Sequence, residues 1–124
     1  MPQFDYPGIV PAVIGSGVAP SLSLGAAAGT GASSSIVGTN MSGKITLNVG
    51  TGILSGGTVL TMTFAGSFAY PTGSVINFTA GNDNFSLISN LLYATTSTTG
   101  VVLACRTALT ISTTYIGFYT IIGY

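Results

Sequence analysis

Lys44-Ile-Thr-Leu-Asn-Val-Gly-Thr-Gly-Ile-Leu-Ser-Gly-Gly-Thr-Val-Leu-Thr-Met-Thr-Phe64 is the stretch that decides the fold class. Its first six residues alternate, with Ile45, Leu47 and Val49 on one face. Its last seven alternate again: Leu60, Met62 and Phe64 point one way, and Val59, Thr61 and Thr63 the other. Successive side chains of an extended backbone point to opposite sides, so a period of two marks a strand with one buried face. Between the two runs, Gly50-Thr-Gly52 and Ser55-Gly-Gly57 bracket the apolar pair Ile53-Leu54. Such glycine clusters are turn signals.

The same pattern continues toward the C-terminus. Pro71-Thr-Gly73 marks a turn, and Val75-Ile-Asn-Phe-Thr79 comes next with Ile76 and Phe78 as its apolar pair. Gly81-Asn-Asp-Asn84 is a polar turn. Leu91–Thr96 and Val101–Cys105 are separated by Ser97-Thr-Thr-Gly100, which predicts a hairpin with Gly100 at positive φ. In Thr113–Ile122, Tyr115, Tyr119 and Ile121 share one face, and Ile116, Phe118 and Ile122 the other. A helix is expected only as one short turn near Phe85–Leu92. The expected fold is all-β: a six- to eight-stranded antiparallel sandwich or jelly-roll-like domain over residues 38–124.

Residues 1–37 read differently. Four of the five prolines fall here, and Gly25-Ala-Ala-Ala-Gly-Thr-Gly-Ala-Ser-Ser-Ser35 closes the stretch. No period persists, so an extended arm preceding the β domain is expected. Phe4, Tyr6, Ile9, Val10, Val13, Ile14, Leu22 and Leu24 are spaced apolar anchors that a plain Gly/Ser spacer lacks. Such an arm should lie along a partner's surface. Met1-Pro-Gln-Phe-Asp5 has no Lys or Arg ahead of an apolar run, so no secretory signal is expected. Ile9–Ala28 is too broken by proline and glycine to suggest a spanning helix.

Composition excludes much chemistry. The 124 residues contain two Lys+Arg, two Asp+Glu and no His, so 3% are charged, against roughly 25% in an average domain. Phosphate affinity needs several cations, so nucleic acid is excluded as a partner. Mean hydropathy is +0.69, which excludes ordinary disorder. Nucleophilic catalysis needs a base, and only a Ser–Lys44 pair could supply one. A glycosidase pair would have to use Asp5 and Asp83, the sole carboxylic side chains. Gly81–Asn84 has one carboxylate and reads as a turn held by Asx hydrogen bonds, not as a calcium loop. Gly50-Thr-Gly52 lacks the Lys-Ser/Thr of a phosphate loop. Cys105 reads as a small buried or interface side chain, and Lys44 or Arg106 could pair with Asp83 or with the chain terminus. Tyr70 and Tyr93 could contact a glycan, but packing is the commoner role of such rings. No enzyme activity, cofactor, metal or membrane partner is expected. A chain with so little charge and large apolar side chains on both faces of its last strand should oligomerise, with Tyr115, Phe118, Tyr119 and Ile121 at the interface.

Residues 38–124 resemble a family of small trimeric β domains in tailed-phage structural proteins. Gly38-Thr-Asn-Met-Ser-Gly-Lys-Ile-Thr-Leu-Asn-Val-Gly-Thr-Gly52 is similar to the family's opening turn, Ile-Thr-Leu strand and Gly-Thr-Gly turn. Gly57-Thr-Val-Leu-Thr-Met-Thr-Phe-Ala65, with Phe68-Ala-Tyr-Pro71 after it, resembles the next strand and turn. Val75–Asn84 resembles the family's strand that ends near an Asn loop. Tyr93-Ala-Thr-Thr-Ser-Thr-Thr-Gly-Val-Val-Leu103 resembles the family hairpin, with valines where an aromatic is usual. Thr107-Ala-Leu-Thr110 and Thr113-Thr-Tyr115 resemble the turn before its terminal aromatic strand. The resemblance implies a homotrimeric virion protein without enzyme activity. The expected role is capsid decoration (cement), with trimers on the capsid surface binding the major capsid protein. The alternative is a head-fibre or tail-fibre tip module binding a host receptor or glycan.

Overall fold

Alternation in the deciding stretch translates directly into burial. In the computed structural model, which describes residues 18–124, Ser42–Asn48 and Gly57–Thr63 are strands. Ile45, Leu47, Leu60 and Met62 are each at most 5% exposed. Numbered in chain order, the strands are β1 (Ser21–Leu24), β2 (Ser33–Gly38), β3 (Ser42–Asn48), β4 (Gly57–Thr63), β5 (Ser74–Ala80), β6 (Leu92–Thr96), β7 (Gly100–Cys105) and β8 (Thr114–Gly123). They form two four-stranded antiparallel sheets, ordered β1-β4-β7-β6 and β2-β3-β8-β5. The sheets are open and pack as a sandwich. One helix, α1 (Asp83–Ile88), lies between β5 and β6 in the chain, in the region where the sequence predicts a single turn.

The core has two parts. Leu60, Met62, Phe64, Leu103, Tyr119 and Ile121 lie in one. Leu47, Val59, Phe85, Ile88, Leu109 and Tyr115 lie in the other, under α1. Gly117 of β8 permits that second packing: a Cβ there would sit 2.7 Å from Cε2 of Phe85. Cys105 is 1% exposed and belongs to the core.

Three expectations need correction. Alternation puts Val59 on the outer face of its strand, but it is fully buried. The β4–β7 register shifts between Thr58 and Leu60, and this bulge turns Val59 inward beside Leu60. The β6–β7 hairpin forms, but Gly100 is not among the positive-φ glycines. It is required for space instead, because a Cβ would meet the Met62 carbonyl on the neighbouring strand. The turn is held by the Ser97 hydroxyl, which accepts from the backbone N–H of Thr99 and Gly100.

The largest correction concerns the boundary at residue 38. Ser21–Leu24 pairs with β4, Leu22 opposite Met62 and Leu24 opposite Leu60. Ser33–Gly38 pairs with β3. Both strands are therefore edges of the sandwich, and Leu22 and Ile36 pack on its core. The Gly/Ala stretch between them is a close-packed corner, not a spacer. Ala26–Ala28 makes a 3-10 turn that carries the chain from one sheet to the other, with Ala27 and Ala28 buried. A Cβ at Gly25 would strike the Thr58 carbonyl, so small residues are demanded by contact rather than by flexibility.

Candidate interaction surfaces

The last strand separates the four residues expected at an interface. Tyr115, Tyr119 and Ile121 are 4%, 2% and 2% exposed and belong to the core of their own domain. They are corrected from interface to core, because β8 lies inside its sheet between β3 and β5 with that face turned to the other sheet. Phe118 points the opposite way and is 47% exposed. Antiparallel register sets its neighbours. Lys44 of β3 and Thr79 of β5 lie opposite Phe118, and Val37 of β2 lies opposite Lys44. Ile122 faces Val75 further along the same pair of strands. The outer face of this sheet thus carries Val37, Val75, Phe118 and Ile122, all exposed, set among Lys44, Ser35, Thr46, Asn77, Thr79 and Thr120. Val37 and Val75 were not picked out from the sequence. Their alternation was readable, but which strand lay beside β8 was not.

The arm residues Phe4, Tyr6, Ile9, Val10, Val13 and Ile14 lie outside the described residues. The described chain begins at Val18, next to the β1 edge.

A second surface lies where the two sheets end together. Among the described strands β5 and β6 are both edges, and they flank the same side of the sandwich. A slot of about 270 Å3 runs between them. Ile76, Phe78, Phe85, Leu92 and Leu103 line it, and Asn77, Ser89 and Tyr93 stand on its rim. One end is tied shut by Ser74, whose hydroxyl donates to the Ser97 carbonyl at 2.8 Å. The other end is stopped by α1. Beneath the slot a smaller apolar void of about 20 Å3 shares Phe78, Phe85, Leu92 and Leu103 with it. That void is no larger than one water and has no polar lining to hold one.

The polar groups singled out from the sequence have structural roles. Asn82 caps α1, its Oδ1 accepting from Phe85 N at 3.0 Å and from Ile116 N at 3.2 Å. Its Nδ2, like that of Asn84, donates to the Thr114 carbonyl. Asp83 sits in the first turn of this short helix. Lys44, Asp83 and Arg106 form no ion pair among the described residues. No group of three His, Cys, Asp or Glu side chains clusters there to hold a metal, and no described helix is long and apolar enough to cross a membrane. Asn40 was missed. Its side chain donates to the Ala65 carbonyl and accepts from Ala65 N, pinning the β2–β3 hairpin to the turn after β4.

Burial pushes the Tyr119 hydroxyl up to about 12, and it donates to the Thr39 carbonyl. Tyr70 is also pushed up by burial, but its hydroxyl has no partner among the described residues. Its ring packs edge-on against Phe64 and Phe68, with centroids 5.4 and 4.8 Å away. Tyr70 is therefore a packing residue, and Tyr93 stays on the surface at the slot rim. No family model matches the chain, and no curated protein or solved structure shows significant similarity to it.

Proposed function

We propose that the protein is a structural virion component: a capsid decoration protein that trimerises on the major capsid protein lattice and stabilises it. The observation that carries this reading is the outer face of the β2-β3-β8-β5 sheet, with Val37, Val75, Phe118 and Ile122 exposed and Lys44 as its charged side chain. These apolar side chains stand among Ser35, Thr46, Asn77, Thr79 and Thr120 on the same face, so a cover over it would bury one charge only. The whole chain has only four charged side chains, which gives a free monomer little protection from self-association. Permanent docking in an assembly removes that liability.

Area decides what else the docking needs. Four strands spaced by about 4.8 Å, each some 20 Å long, present a face of roughly 400 Å2. A stable interface takes about 800 Å2 from each partner. The face alone is too small, so the reading also uses the apolar N-terminal segment as a second point of attachment. Three such segments on one trimer would multiply a weak contact by avidity. No catalytic step belongs to this reading.

The test is co-sedimentation of the purified chain with empty capsid shells of the tailed phage that encodes it. Saturable binding in multiples of three, with a raised shell melting temperature, is the expected result. Binding to host cells or glycans without binding to shells would replace this reading with the fibre-tip one.

A further inference from the structure

We propose that the slot between β5 and β6 receives residues 9–14 of a neighbouring copy, Ile-Val-Pro-Ala-Val-Ile, as an added strand. The inference deepens the proposed function and rests on its oligomeric part, because it names the joint between subunits.

The slot is open at the level of the backbone. Among the described residues both β5 and β6 are edges, so each leaves N–H and C=O groups without a strand partner there. Natural edges are usually blunted by charge, proline or a bulge. Ser74-Val-Ile-Asn-Phe-Thr-Ala80 and Leu92-Tyr-Ala-Thr-Thr96 contain no charge and no proline, and both pair in unbroken register with their inner neighbours. Below these edges the floor is apolar, formed by Phe78, Phe85, Leu92 and Leu103. An unprotected pair of edges over an apolar floor is the arrangement that an extended peptide completes, with its backbone filling the edges and alternate side chains filling the floor.

The chain carries a segment that fits. Residues 9–14 are uncharged, and alternation would place Val10, Ala12 and Ile14 on one face. Six residues match the lengths of β5 and β6, which have seven and five. Pro11 lacks an N–H and so leaves one acceptor of the edge it faces unpaired, a single gap in the added ladder. The donor's origin follows from where the described chain begins. Val18 leads into β1, which lies three strands away from β6 in its sheet, a span of about 14 Å. The six residues between Ile14 and Ser21 reach about 20 Å at full stretch, enough to cross the sheet but with only about 6 Å left for the turn into the slot. Folding back onto the same domain would mean crossing that sheet and rounding the end closed by the Ser74–Ser97 bond and the Phe64, Phe68 and Tyr70 rings. Reaching a neighbour requires no such path.

The full chain carrying both Ala12→Cys and Ala94→Cys tests this under mild oxidation. Ala94 is an exposed slot residue, and the native Cys105 is buried and stays a spectator. The expected product is a covalent species of two or more copies, absent from either single variant and dissolved by reductant. An internal disulfide at monomer mass would overturn the assignment to a neighbour, and two free thiols would overturn occupancy of the slot. Ala94→Arg is the second variant, putting a cation at the slot mouth. It should keep its β circular dichroism while its native mass falls to 12.4 kDa; an unchanged oligomer overturns the proposal. Co-sedimentation of the same variants with capsid shells separates the two claims. Shell binding with an empty slot removes only this inference, and a cross-linked oligomer that ignores shells removes only the decoration reading.

Discussion

Tyr119 and Tyr70 pack against the same half of the core, yet their hydroxyls have opposite fates. Tyr119 donates to the Thr39 carbonyl, whereas the buried Tyr70 oxygen has no partner among the described residues. Removing a paired hydroxyl gives up its hydrogen bond, at a cost of about 1 kcal/mol, whereas removing an unpaired one relieves a desolvation penalty. Tyr119→Phe should therefore lower the unfolding free energy by about 1 kcal/mol, and Tyr70→Phe should leave it unchanged or raise it. Urea titrations of the two variants beside the parent chain check both signs. The pH dependence comes from the same burial. Tyr119 ionises at about 12 in the fold and near 10 when unfolded. The fold therefore favours the neutral phenol: its contribution is complete below about pH 10 and is lost as pH rises through the folded value. Stability measured by urea midpoint should fall between about pH 10 and 12, and Tyr119→Phe should flatten that fall.

Among the elements, α1 depends on one side chain more than its length suggests. A six-residue helix is marginal by itself. Asn82 caps it and also bonds to Ile116 N and the Thr114 carbonyl, so it fastens the helix to β8. Asn82→Ala should cost about 1–2 kcal/mol, and Asn82→Asp should cost less because it keeps the accepting oxygen. Thermal melts of both variants would show the order, and equal loss would mean that the donated bond to Thr114 dominates. The Asx role of this turn was readable in Gly81-Asn-Asp-Asn84, but its second partner, β8, lies far along the chain and was not. The same limit explains the other elements. Strands β3 to β8 were legible because a buried face imposes its own alternation. β1 was hidden although Ser21-Leu-Ser-Leu24 alternates, because four residues beside a Gly/Ala run look like linker until Gly25 and Ala28 are seen packed at the corner. The split of the last strand into two faces was legible, but which face was core was not. Burial needs the opposite sheet, and the tyrosines rather than Phe118 turned out to meet it.

At the scale of the whole molecule, low charge and the exposed apolar side chains of the outer face make one joint prediction. With four charged side chains in the chain and no ion pair among the described residues, association cannot depend much on electrostatics. At 1 M salt the screening length is about 3 Å, so an assembly held by charge would come apart. Native mass measured by light scattering should therefore hold from low salt to about 1 M salt. Phe118→Glu should reduce it, because a carboxylate in the middle of the outer face would have to be desolvated on docking. Phe118 is nearly half exposed and its opposite neighbours are Lys44 and Thr79, so the substitution leaves the core intact and the melting temperature close to that of the parent. A lower mass at an unchanged melting temperature would assign the loss to the surface rather than to unfolding. The double variant Phe118→Glu with Lys44→Ala sharpens the result. Lys44 could partly neutralise the new carboxylate across the β3–β8 register, so removing it should lower the mass further. If both variants kept the parent's mass, the outer face would be solvent-facing and association would have to run through the β5–β6 slot alone.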